Sequence, residues 1–266
     1  MTARRGERPG SAESGGGAPP AERVPAAPPS GAELREHWPE SAAALVERQR
    51  RLAEEAEGIT LWRPSRGSGL RLGGVWVVYP RGGVGAGRGG DPAWAAAVVI
   101  EDEQVLCTAT VRGVAGSAYE PGLLALREGA LLESALRALA VRPDVLLVNA
   151  TGRDHPRRAG LALHLGAVVG LPTVGVTDRP LVARGAEPGP RRGDTSPLFL
   201  DGGLVAVWLR TRSSARSLVA HAGWRTDCDV ARTVVLGCSG RWRTPQPLRL
   251  ARQLARSARS RGDGQV

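Results

Sequence analysis

The chain has 266 residues, 42% of them apolar, and carries a formal charge of +10. That apolar share suffices for a buried core, and neither an apolar leader nor a run of eighteen apolar residues is present, which argues against secretion and membrane insertion and leads us to expect a cytoplasmic monomer. The excess charge suits a polyanion such as DNA or RNA, yet all 36 basic residues are arginine, which equally fits the codon bias of a GC-rich genome.

Residues 1–37 are rich in Pro, Gly and Ala and have few large apolar side chains to offset the entropy of ordering, so a disordered tail is expected there. A folded domain is expected over 38–258 and a flexible basic tail over 259–266. Residues 41–57 place Leu45, Val46, Leu52 and Ala56 at helical spacing after Ser41, a suitable N-cap. Strands are predicted over 71–79, 93–100 and 104–111. The glycine-rich segment 80–90 lacks the Gly-Lys-Ser/Thr ending of a phosphate loop and reads as a hairpin connection. A helix over 121–139, opened by Pro121, is followed by a short apolar strand at 145–148, a helix beginning at Pro156 and a strand at 172–176. Further strands are predicted at 204–209 and 217–220, then a helix over 227–236 capped by Asp227 and a terminal helix over 248–258. Strands alternating with helices after an antiparallel opening indicate an α/β fold with a mixed sheet. Cys107, Cys228 and Cys238 lack CxxC spacing and read as reduced thiols rather than zinc ligands.

Five ordered segments carry a resemblance: Leu72-Gly73-Gly74-Val75, Tyr119 to Glu128 with its Tyr-x-Pro-Gly start, His155 to Gly160, Leu171 to Val176, and Gly240 to Arg243 leading to Pro247 through Ala251. Together they resemble the endonuclease V family, metal-dependent nucleases that act on deaminated bases such as inosine. The resemblance implies a ribonuclease H-like mixed β-sheet flanked by helices, a Mg2+ cofactor and a nucleic-acid partner. It places the family's glutamate at Glu128. The family's first-strand aspartate falls on Trp76 and its fourth-strand aspartate on Asn149, while its lysine falls on Asp178 and its histidine on Trp224.

With one carboxylate of three kept, a catalytically impaired homologue is expected, with Trp76 filling the place of the ion. A site rebuilt from Glu128, Asp178 and Asp229 is the counter-reading, and would make the chain an active Mg2+-dependent endonuclease on DNA or RNA. A protein-interaction module without nucleic-acid affinity is the third. Glu128 reads as a remnant ligand or a solvated helix residue. Tyr119, before Pro121 and Gly122, reads as the family's strand-parting wedge or as a residue packed on the core. His155, Arg157 and Arg158 read as a helix N-terminus holding a phosphate, or as a solvated turn. His164 and His221 read as structural histidines.

Overall fold

The computed structural model describes residues 34, 36–64, 69–83 and 85–263; apart from Leu34, Glu36 and His37, the expected tail over 1–37 lies outside them. Eight strands form one sheet: β1 (Leu72–Val78), β2 (Pro92–Glu101), β3 (Gln104–Val114), β4 (Val145–Val148), β5 (Thr173–Thr177), β6 (Thr195–Leu200), β7 (Gly203–Leu209) and β8 (Leu218–Ala222). Their order is β3-β2-β1-β4-β5-β8-β7-β6. β4 runs parallel to both β1 and β5, and the flanking pairs are antiparallel. Five helices lie wholly within the described residues: α1 (Ala42–Glu57), α2 (Leu124–Arg137), α3 (Leu161–Val169), α4 (Cys228–Gly237) and α5 (Gln246–Asp263). The α/β class and the mixed, helix-flanked sheet agree with the sequence reading. No described helix is long and apolar enough to cross a membrane.

Period-two alternation divides the core between two faces. Val75, Ala93, Ala95, Ala97, Leu146 and Val148 pack with α2 and α3 on one face. Val145, Leu147, Val174 and Val176 meet α4 on the other, where Trp94, Ala96, Val98 and Ile100 lie under α5. With both faces covered, β2 is buried from Ala93 to Ile100. Ser41 caps α1 by accepting from Ala44 N at 3.2 Å, a contact worth about 1 kcal/mol. Just before it, Trp38 is buried and donates at 2.8 Å to the buried carboxylate of Glu133 on α2.

Three helix boundaries differ from expectation. α2 opens at Leu124 rather than Pro121, because Gly122 stands at φ +82°, a left-handed turn that cannot start a helix. α3 begins at Leu161, five residues after Pro156; Arg158 lies at φ +56° and Gly160 is extended, so His155 to Arg158 form a turn. α5 continues to Asp263, making most of the segment expected as a basic tail helical, with Arg259 donating to Tyr79 O at 2.8 Å. β6 is an additional edge strand. Its Pro197 removes one ladder donor, which an edge tolerates.

Candidate active-site cavity

The parallel strands β1, β4 and β5 end together, and the chain segments leaving them wall a cavity of about 760 Å³. Tyr79 follows β1, Asn149 to Thr151 follow β4, and Thr177 to Leu181 follow β5. Glu128 and Leu124 enter from α2, Tyr119 and Gly122 from the turn before it, and Gly83, Gly85 and Gly87 from the β1–β2 hairpin loop. Carboxyl ends of parallel strands are the usual ligand position of open α/β sheets.

Glu128 is half-buried in this wall, and Tyr79 donates its hydroxyl to Glu128 Oε1 at 3.1 Å. Burial pushes the Glu128 carboxyl up to about 7, while the Tyr79 hydrogen bond and the Arg127 charge hold it down. Burial and the nearby carboxylate in turn push the Tyr79 phenol upward. Arg127 is buried beside them. Its guanidinium lies 4.1 Å from the Tyr79 ring centroid, donates to the Ser117 and Arg88 carbonyls, and approaches Asp91 to 3.6 Å. One cation thus ties the hairpin loop, the turn before α2 and the end of β1 together. Arg127 does not stand out in the sequence, although it falls on the buried face between Leu123 and Leu131 at i, i+4 spacing.

Of the other residues expected at the site, Asn149 and Asp178 line the cavity with Glu128. Asp178 is 72% exposed and pairs with Arg243 at 2.6 Å. Trp76 does not line the cavity with Glu128. Because Val75, Val77 and Tyr79 turn toward α2, alternation sends Trp76 through the opposite face, where it packs on Leu72, Leu250 and Leu254. Trp224 is also elsewhere, packed with Leu52, Ala56, Ala159 and Leu163 between α1 and α3. Asp229 lines a separate cleft with Arg153 and Cys228, so it does not join Glu128 and Asp178. Tyr119 is 49% exposed at the cavity mouth, not packed on the core, and its backbone N–H donates to Ala86 O at 2.7 Å.

His155 and Arg157 are occupied by the protein itself. The Gly122 carbonyl accepts from His155 Nε2 at 2.9 Å, Arg157 Nη2 at 2.8 Å and Gln49 Nε2 at 3.2 Å, which clamps the Tyr119 to Gly122 turn. His155 Nδ1 accepts from Arg157 N at 3.2 Å, so the ring is neutral; burial takes its pKa down to about 4. Arg158 donates to Leu200 O at 2.6 Å and lies 3.5 Å from Asp201. The expected helix N-terminus with two free guanidinium groups is therefore a bracing turn.

Asp154 is a second residue the sequence does not flag. It is fully buried and accepts from the backbone N–H groups of Leu181, Val182 and Ala183 at 2.7, 2.9 and 2.7 Å, holding the wall that follows β5. A carboxylate beside His155 in a turn is the local signal that could have marked it. His221 and His164 are buried as expected, with Nε2 at 2.7 Å from Thr177 Oγ1 and at 3.0 Å from His37 O.

A divalent cation needs several hard oxygen ligands converging within fractions of an ångström. Among the described residues no three His, Cys, Asp or Glu side chains converge in that way. Glu128 shares the cavity with Asp91 and Asp178, but Asp91 lies 3.6 Å from the Arg127 guanidinium and Asp178 pairs with Arg243, so the acids are held apart by arginines and the donor set does not fit Mg2+.

The Endonuclease V family profile matches residues 83–253. An Endonuclease V from Methanopyrus kandleri is 43% identical over 187 residues, covering 69% of this chain and 80% of its own. The crystal structure of the Endonuclease V from Streptomyces avermitilis superposes with a TM-score of 0.72 at 35% identity, over 85% of this chain and 96% of that one. A Ciona intestinalis Endonuclease V, solved with a 24mer DNA containing an inosine followed by a ribo-adenosine, matches in fold: its TM-score is 0.65 at 19% identity, over 82% and 98% of the two chains.

Proposed function

The chain belongs to the endonuclease V family, and from that premise we propose that it is a cytoplasmic, monomeric nucleic-acid-binding member whose phosphodiester cleavage is impaired. The observation that carries this reading is that no three acidic or metal-ligating side chains converge around Glu128 among the described residues; its Oε1 instead accepts from the Tyr79 hydroxyl at 3.1 Å. Asn149 supplies shape without charge at the end of β4.

Binding has separate support. The cavity is open, glycine-walled on one side, and faced by Tyr119 at its mouth. A neighbour of the same fold was crystallised on inosine-bearing DNA. Tyr119 acts as the wedge beside a displaced base, backed by the His155 and Arg157 clamp on Gly122. Metal-dependent cleavage by rearranged acids has in its favour the presence of Asp91 and Asp178 in the same cavity, but Arg127 lies beside the first and Arg243 pairs with the second.

Equilibrium binding of inosine-containing duplex, measured by fluorescence anisotropy in EDTA and again in magnesium, tests the proposal. Equal affinity under both conditions, weakened by Tyr119→Ala more for inosine-bearing duplex than for plain single strands, is expected. Binding that requires magnesium would overturn it.

A further inference from the structure

On the sheet face opposite α2 and α3, α5 carries Arg249, Arg252, Arg256, Arg259 and Arg261, with Asp263 as its acid. Leu248, Ala251 and Ala255 are buried beneath it. This leaves Arg249, Arg252 and Arg256, at i, i+3 and i+7, on one outward stripe. A groove follows that stripe, lined by the three arginines with Gln253, Ser257 and Ser260. Its lining thus offers guanidinium, amide and hydroxyl groups and no carboxylate. Among the described residues none of the three arginines has an acid within ion-pair distance.

Two of these guanidinium groups are seated on aromatic rings. Arg252 lies 5.3 Å from the centroid of Trp76, and Arg249 lies 5.0 Å from that of Trp242. A cation held over a ring face is restrained while its N–H edge stays free for an oxygen acceptor, so less entropy is lost when a ligand binds. Trp76, the large residue at the family's aspartate position, thereby has a use on this face. Burial lowers the Arg252 pKa first, and the neighbouring charge of Arg256 lowers it further against the opposing effect of Asp178.

We propose that the outward stripe of α5 is a second nucleic-acid-binding surface, taking the phosphodiester backbone of a strand independently of the cavity. At about 1.5 Å of rise per residue, Arg249 to Arg256 span about 10 Å, enough to meet more than one phosphate of a strand. A membrane is the poorer partner, because the apolar side of α5 is committed to the sheet and no apolar face remains to enter the headgroup layer. The contacts proposed for the stripe are to phosphates, which position a strand without reading its sequence.

The test is anisotropy of a labelled, inosine-free single strand of about 20 nucleotides against the full chain at rising salt. Arg252→Ala with Arg256→Ala is expected to lower affinity about tenfold at low salt and to flatten the log–log salt slope by about 1.4, roughly 0.7 for each phosphate no longer neutralised. Arg252→Lys with Arg256→Lys should keep the slope. Arg191→Ala with Arg212→Ala removes the same charge from exposed positions on another part of the fold and should leave the slope unchanged. The proposal is overturned if the α5 alanine pair binds like the parent with an unchanged slope. An equal loss in the Arg191 and Arg212 control would reduce the effect to net charge and overturn it as well. So would tighter binding to anionic phospholipid vesicles than to the strand, lost in the same α5 variant, which would make the stripe a membrane contact. Tyr119→Ala acts on the cavity alone, so failure of the stripe and failure of the cavity reading give different results.

Discussion

Replacing Glu128 by Gln should stabilise the protein in alkaline solution. Unfolded, this carboxyl titrates near 4.5, and in the folded cavity burial takes it up to about 7. Between those values the folded state keeps a proton that the unfolded chain has released. The contribution of the neutral carboxyl is therefore complete below 4.5 and is lost as pH rises through 7. At about 1.4 kcal/mol per pH unit, the interval corresponds to about 3 kcal/mol as an upper bound. Water reaches Glu128 through the open cavity and Arg127 lies beside it, which reduces the expected effect to about 1–2 kcal/mol. The substituted amide stays neutral at every pH and can still accept from Tyr79. Urea unfolding of both proteins should show near-equal stability around pH 4 and a gap in favour of the variant around pH 8.5. A variant less stable than the parent at alkaline pH, or a gap that does not change with pH, would refute the reasoning.

Asp154→Ala should cost about 3–5 kcal/mol, because three backbone N–H groups lose a buried charged acceptor together; thermal unfolding measures the loss, and hydrogen exchange should localise the loosening to Leu181 through Ala183. Trp76→Asp with Asn149→Asp should not create a cation site, since position 76 faces α5 rather than Glu128. Calorimetric titration with Mn2+ should give no heat of binding, and the new buried carboxylate should lower stability by about 2 kcal/mol or more; stoichiometric Mn2+ binding by the folded double variant would show that β1 changes face.

Much of the architecture is readable from local chemistry. Ser41 and Asp227 cap α1 and α4 as their side chains suggest, and Val145 to Val148 are as buried as a short apolar run between helices implies. The unread parts are those where chain geometry outweighs composition. Pro121 and Pro156 read as helix openers, but positive φ at Gly122 and Arg158 turns the chain before each helix begins. β6 is hidden by Pro197, and the strand survives as an edge with a register shift at Leu198 and Phe199. The placement of Trp76 illustrates a further limit. A strand covered on both sheet faces is apolar throughout, so Val75 to Val78 carry no alternation from which to tell the side facing Glu128. The family pattern locates the position along the chain without its direction, and Tyr79, three residues later, is the aromatic that reaches the glutamate. Arg127 and Asp154 escape notice because a charged residue's burial is decided by partners distant in sequence, Ser117 and Leu181 among them.

Single-turnover incubation of inosine-containing single-stranded DNA and RNA with excess protein, in magnesium and separately in manganese, tests the central claim most directly. Bound but uncut strands, with parent and Glu128→Ala indistinguishable, are the predicted result. Metal-dependent scission near inosine that disappears in Glu128→Ala would contradict the account.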